Sequence, residues 1–259
     1  MSMNDGSRSA QVGSLWRYPV KSMRGESCSE LRFESGGVSG DRSFGVLDLR
    51  SGTVVSAKRE GRLLGAVANL SSGELVVELP DGQILGRGEF LDECLSRWLE
   101  RPVKLIDAAN FGAATYECPE DYERDDSALV QWEGPIGSFV DESPLHLLTT
   151  VDLERLARER PDLQWSARRF RPNVVINVAP NSLGSMEPGQ RLRLGEVEVE
   201  ILKGCTRCVM TTRPQPDSLD RQLDILRHVS KAHNNVVGVR AKVVRAGPVR
   251  VGDQVTTSN

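Results

Sequence analysis

Long apolar runs are missing from this 259-residue chain, and with them any stretch of about 18 consecutive hydrophobic residues that could cross a bilayer. Residues Met1 to Gln11 are polar and Ser-rich and lack the apolar segment of a secretory signal, so a cytoplasmic location is expected. Positive charge is not in excess: 33 Lys and Arg face 36 Asp and Glu, a formal net charge of −3. No overall basic field exists to hold a nucleic acid or an anionic membrane, so neither partner is expected and any anion site must be local. Histidine is scarce, with only His146, His228 and His233, and none lies at a recognisable zinc spacing. The five cysteines, Cys28, Cys94, Cys118, Cys205 and Cys208, are odd in number and scattered, which argues against a disulfide framework.

What is present is the balance of a soluble, turn-rich globular protein, with 39% hydrophobic and 27% charged residues, 24 Gly and 13 Pro. The length suffices for one large or two small cores. From Gly13 to Ile106 short β-like runs alternate with Gly and Ser turns; Val12 to Tyr18, Ser29 to Phe33, Ser43 to Asp48 and Glu74 to Leu79 read as strands. Glu89 to Glu100 differs, because Phe90, Leu91, Cys94, Leu95, Trp98 and Leu99 recur at three- and four-residue steps and make one stripe on a helix. Between Ala108 and Ser127 the apolar pattern lapses into the acidic run Glu117 to Asp126, read as a solvated connection between lobes. Domains are therefore expected at 10–112 and 113–256.

The second half alternates strands with helices, the latter at Val151 to Arg160 and Leu219 to His228, and closes with strands at Val236 to Val244 and Val249 to Val255. Gln190 to Leu194 and Glu196 to Leu202 form an expected hairpin about Gly195. In the latter, Val197, Val199 and Ile201 alternate with Glu196, Glu198 and Glu200, so one face is buried. That strand delivers the chain into Lys203-Gly204-Cys205-Thr206-Arg207-Cys208. Thiols beside fixed positive charge favour thiolate, which is both a nucleophile and a soft metal ligand. The C-x-x-C spacing by itself leaves three readings open: a structural pair, a redox pair, or a pair that contains a ligand. Further short clusters stand at strand edges, Tyr18-Pro19-Val20-Lys21-Ser22, Gly40-Asp41-Arg42 and Arg168-Arg169-Phe170-Arg171-Pro172-Asn173. If the fold unites them, Lys21, Arg42 and Arg171 make a pocket for a phosphorylated ligand.

Taken in order, Leu15 to Ser22, Gly40-Asp41-Arg42, Asp141-Glu142-Ser143-Pro144, Phe170-Arg171-Pro172-Asn173, Gly204 to Thr212 and Val251-Gly252-Asp253 resemble the MOSC family, named for the C-terminal domain of molybdenum-cofactor sulfurase. The resemblance covers nearly the whole chain. It implies a mainly β fold with α/β elements: an N-terminal β-barrel-like domain and a C-terminal MOSC β-barrel domain with peripheral helices. Within the family the arrangement looks most like the mitochondrial amidoxime-reducing component and bacterial relatives that reduce N-hydroxylated compounds. That likeness implies a molybdenum cofactor whose metal is ligated by Cys208, with Cys205 a neighbour. Lys21, Ser22, Arg42, Ser143, Arg171 and Asn173 are then cofactor contacts, and Thr206 and Arg207 frame the site. Asp141 falls near substrate, either as a general acid or as a carboxylate that simply bonds the cofactor. The cofactor would carry the hard step, removal of a hydroxyl oxygen as water at the cost of two electrons and two protons.

Two departures bear on function. Relatives often continue after the Thr-Thr pair with an acidic Asp-Pro-Asp stretch, where this chain reads Arg213-Pro214-Gln215-Pro216-Asp217, so substrate preference is expected to differ. With few residues after Val255, the C-terminal ferredoxin domain of some bacterial relatives is not expected here. Electrons are expected from a separate ferredoxin- or cytochrome-type carrier and its reductase. A function of another class uses the same residues: a sulfur carrier or cofactor-handling protein bearing a persulfide on Cys208 or Cys205. At 259 residues, the sulfurase's own pyridoxal-phosphate domain is not expected here.

Overall fold

The alternation in Val197 to Ile201 becomes a strand with Val197, Val199 and Ile201 fully buried on one face. It is one of seven that close a barrel in this computed structural model, which describes residues 10–178, 183 and 186–258. The Ser-rich stretch at residues 1–9 lies outside the described residues. In chain order the barrel strands are β1 (Ala10–Arg17), β2 (Leu145–Thr149), β3 (Val174–Asn177), β4 (Arg191–Leu194), β5 (Val197–Thr206), β6 (Val236–Arg245) and β7 (Gln254–Ser258). Around the ring they run β3-β2-β6-β5-β4-β7-β1, and β1 returns to β3 through Gln11 to Leu15 against Val174 to Asn177. Only the β2–β3 pair is parallel. The hairpin expected about Gly195 forms, with Leu194 opposite Val197 and Gly195 at φ 59°, a left-handed conformation suited to glycine. Val12, Leu15, Leu147, Ile176, Leu192, Ile201 and Val255 fill the interior. Each such side chain contributes an upper bound of about 1.5–3 kcal/mol.

A second core gathers around α1 (Glu89–Leu99), whose stripe buries Leu91, Cys94, Leu95 and Leu99. Those side chains pack with Val46, Leu64, Ala68, Leu75 and Val77 from neighbouring strands and turns. The helix stops at Glu100, which turns left-handed at φ 55°. With 40% strand and 19% helix, the chain is mainly β. No helix among the described residues is long and apolar enough to cross a membrane.

Barrel membership does not change at the 112/113 boundary read from the sequence. β1 closes the C-terminal barrel, and Leu31, Phe33 and Val38 join its core. The strand Glu30–Glu34 also pairs with Gly247–Arg250. The acidic run is not a free connection either. Thr115–Pro119 pairs with Leu129–Glu133, and Glu117 is buried in an ion pair with Arg59. Asp125 accepts from Arg213 at 2.6 Å and from Arg221 at 3.1 Å. Glu120, Asp121 and Asp126 remain exposed, so the run is solvated in part and tied down at Glu117 and Asp125.

Outside the barrel lie α2 (Thr150–Glu159), α3 (Ala167–Phe170) and α4 (Leu223–Ala232). α2 starts at a capping box made by Thr149 and Asp152. α4 starts later than Leu219, because Asp217 and Ser218 adopt positive φ and Gln215 pairs with Leu219 in a turn. Leu148, Leu156, Phe170, Val229 and Val237 join these helices to the barrel.

Candidate cofactor site

The chain leaves β1 at Arg17 and runs into the Tyr18 to Ser22 motif. There Tyr18 collects two cations: the Arg42 and Arg171 guanidinium groups lie 4.5 and 4.2 Å from its ring centre. Both arginines occupy the left-handed region, at φ 49° and 55°, a strained backbone for side chains of that size. Arg42 pairs with Asp41 and donates to the Arg171 carbonyl at 3.3 Å, while Arg171 donates to the Met23 carbonyl at 2.7 Å. The Tyr18 hydroxyl donates to the Pro172 carbonyl at 3.1 Å. Burial pushes the Tyr18 phenol up to about 12 despite both arginines. Burial, then Arg42, bring Arg171 down to about 10.

Beside this pair lies a lysine–carboxylate–lysine unit. Lys21 Nζ donates to Asp141 Oδ1 at 2.6 Å and to the Phe139 carbonyl at 2.8 Å, and Lys58 Nζ lies 3.0 Å from Asp141 Oδ2. The two ammonium groups also sit 3.9 Å over the rings of Tyr116 and Trp132. Burial opposes ionisation of Asp141, but Lys21 and then Lys58 outweigh it and hold the carboxyl well below the usual range. Burial lowers Lys21 to about 8. A carboxylate so held has no proton to give near neutrality, so the general-acid reading of Asp141 does not suit its surroundings. Its geometry is that of an anchor for two lysines.

The thiols come from the end of β5. Cys205 is buried, and its Sγ accepts a hydrogen bond from Arg207 Nη1 at 2.8 Å. Arg207 Nη2 donates to the Phe170 carbonyl at 2.8 Å, and His146 Nε2 lies 3.5 Å from Nη1. Burial works against the thiolate, yet Arg207 and then His146 draw Cys205 down to about 5. Cys208 is half-buried and caps the 3-10 turn Val209–Thr212, its carbonyl accepting from Thr211 Oγ1 at 2.9 Å. Arg169, fully buried, ties this turn down by donating to the Thr211 and Arg213 carbonyls at 3.3 and 3.2 Å.

Two domain families match this chain: the MOSC N-terminal beta barrel domain over residues 9–89 and the MOSC domain over residues 136–256. The chain is a MOSC-domain protein. It is similar to mitochondrial amidoxime reducing component 2 of Rattus norvegicus, 25% identical over 94% of this chain and 82% of that one. It is also similar to molybdenum cofactor sulfurase of Oryza sativa subsp. japonica, 25% identical over 74% of this chain and 27% of that one. Among solved structures, the YuaD protein from Bacillus subtilis aligns with a TM-score of 0.45 and 11% identity, over 95% of this chain and 94% of that one.

In this MOSC protein the ten residues singled out from the sequence, Lys21, Ser22, Arg42, Asp141, Ser143, Arg171, Asn173, Thr206, Arg207 and Cys208, line one recess. It encloses about 760 Å³, counting the solvent at its mouth. Several of them serve the fold as well. Asn173 is buried and its amide is spent: Oδ1 accepts from the His146 N–H at 3.2 Å and Nδ2 donates to the Trp16 carbonyl at 3.3 Å. Ser22 Oγ accepts from the Ala57 N–H at 2.9 Å. Lys58, His146, Arg169, Cys205 and Arg240 also line the recess. Of these, Lys58 and Arg240 carried no sequence signal beyond charge. The donor set suits a phosphorylated, sulfur-bearing metal cofactor: Lys21, Lys58, Arg42, Arg171 and Arg207 for anionic groups, and two thiols for a soft metal. Arg207 Nε is buried without a hydrogen-bond partner among the described residues, as a site awaiting an acceptor requires.

Proposed function

We propose that this MOSC protein binds a molybdenum cofactor in the recess and reduces N-hydroxylated compounds, taking electrons from a separate ferredoxin- or cytochrome-type carrier. The observation that carries the reading is the convergence of Cys205 and Cys208 with seven lysine and arginine side chains and one carboxylate in a single recess of a chain whose net charge is negative. The names of its relatives support the two halves of this reading: one is a molybdenum cofactor sulfurase and the other an amidoxime reducing component.

When bound, the cofactor supplies two-electron chemistry at a thiolate-ligated metal. Everything else falls to the chain. Cys208, half-buried in the lining of the recess, is the metal ligand. Arg42 and Arg171, preset against Tyr18, take the phosphate and pterin acceptors together with Ser22, Ser143 and Thr206. Asn173 acts by tying β1 to β2, and so sets the position of the neighbouring arginines. Asp141 keeps Lys21 and Lys58 in place, and the proton nearest to release at neutral pH is the one on Lys21 Nζ. Arg207 neutralises the Cys205 thiolate beside the metal position.

Replacing Cys208 by Ser tests the ligand. With a chemical electron donor, benzamidoxime reduction is expected to fall at least about a hundredfold while the fold is kept. Full activity in that variant would overturn the assignment. The second reading, a persulfide-bearing sulfur carrier, is favoured by the Cys205 thiolate. Cyanolysable sulfur without molybdenum in protein from a cofactor-producing host would select it.

A further inference from the structure

Two of the three histidines stand apart from the recess. His228 lies in α4, and His233 ends that helix at φ −130° and ψ 25°. Five residues apart on a continuous helix, the two would diverge by about 140°. The break at His233 turns its ring back, so the ring centres lie 5.5 Å apart at 72°. That local unwinding is why the spacing carried no metal signature: paired ligands on one helix face are expected at four residues, not five.

Both rings aim at one carboxylate. His228 Nε2 lies 2.8 Å and His233 Nε2 2.6 Å from Glu159 Oε2, the last residue of α2, and the three atoms are within 4.8 Å of one another. A tetrahedral zinc with bonds of about 2.0–2.2 Å holds its ligand atoms roughly 3.3–3.5 Å apart. The trio needs only a slight opening to take the ion. Two imidazoles and a carboxylate suit zinc and its transition-metal neighbours better than magnesium or calcium. The side chains are 16%, 12% and 35% exposed, so the remaining coordination position faces water. The C-terminal ends of α2 and α4 meet here, and their dipoles favour a cation. The Trp165 ring meets His228 edge-on at 5.9 Å and fixes its plane.

We propose that Glu159, His228 and His233 form a binding site for a divalent transition metal, zinc above all, that pins the ends of α2 and α4 together. None of the three lines the cofactor recess. The site is independent of the reductase reading.

The test is titration of the full-length chain with zinc, and separately with cobalt(II), for the wild type and for H228Q, H233Q and E159Q. Zinc affinity is expected to fall at least about tenfold in each variant. The wild-type cobalt complex should show d–d absorption without thiolate-to-cobalt charge transfer, and H233Q should lose it. Zinc at a hundred times its dissociation constant should raise the thermal midpoint by about 5–10 °C in the wild type but not in H233Q. E159Q, at the surface, guards against loss of fold in the histidine variants. Equal zinc affinity in wild type and all three variants would overturn the site. So would a cobalt complex dominated by thiolate charge transfer that C208S abolishes.

Discussion

Cys205 and Cys208 are three residues apart in a motif that treats them alike, yet the fold separates their chemistry: one thiol is sealed beneath Arg207, the other is half-open at the start of a turn. The prediction for Cys205 follows from linkage. Its folded value is depressed from an ordinary 9 to about 5, so it contributes stability in full above pH 9 and loses it as pH falls toward 5. The stability gap between wild type and C205S, measured by urea unfolding, should therefore shrink as pH is lowered from 9 to 5. Thiolate ultraviolet absorption should show a step near pH 5 that C205S lacks and R207M moves upward. A gap independent of pH would show that Cys205 is not ionised. Lys21 gives a second profile. With its proton lost near pH 8, reduction rates should decline above that pH in the wild type, and K21M should show low activity without this limb. Motifs carrying several chemistry-bearing residues in a row were legible in the sequence. Lys58 was not, because it reaches Asp141 from a turn with no pattern of its own, across a separation that only the fold closes.

Elements with a clean period were read correctly: α1 from its three- and four-residue steps, β5 from strict alternation, and the hairpin from Gly195. Those with mixed signals were not. The pair Thr115–Pro119 and Leu129–Glu133 mixes its signals: Tyr116 packs on Trp132 in an apolar cluster, while the neighbouring Glu117 sits beneath Arg59 and accepts from Gln131 Nε2 at 2.9 Å. The turn Val209–Thr212 is too short to show a period, and what fixes it is remote in sequence. Arg169 binds its last carbonyls, and the same guanidinium donates to the Asp220 carbonyl at 2.8 Å. Replacing Arg169 by Met leaves the Thr211, Arg213 and Asp220 carbonyls without this donor and should cost on the order of 3 kcal/mol. The effect at the site should exceed that of a general loss of stability. At a temperature where R169M is still folded, metal content should drop, because Cys208 heads the turn that Arg169 holds. R169K, with its single charged head, should recover stability only in part.

At the scale of the whole molecule, the order of the chain and the order of the barrel disagree, and the site depends on the disagreement. β1, first in sequence, is the strand that closes a ring otherwise built from residues beyond 144. The motif that continues from it carries Lys21 and Ser22 to the same recess as Cys208. Composition and periodicity could mark β1 as a strand. They could not show which sheet it joins, since closure is a long-range pairing with no local signal. A fragment starting at residue 136, where the matched MOSC domain begins, retains six of the seven barrel strands but leaves the edges of β3 and β7 unpaired. It also uncovers Val174, Ile176, Leu194 and Val255, which pack with Val12 and Leu15 in the intact core. Open edges beside exposed aliphatic residues favour association over folding. The fragment is therefore expected to aggregate and to show no cooperative thermal transition by circular dichroism. Mixed during refolding with a peptide of residues 10–38, which restores β1 and Glu30–Glu34, it should become monodisperse and melt cooperatively. A fragment that folds cooperatively alone would mean that the six remaining strands close without β1. The N-terminal segment would then act by delivering Lys21 to the recess and not by completing the barrel.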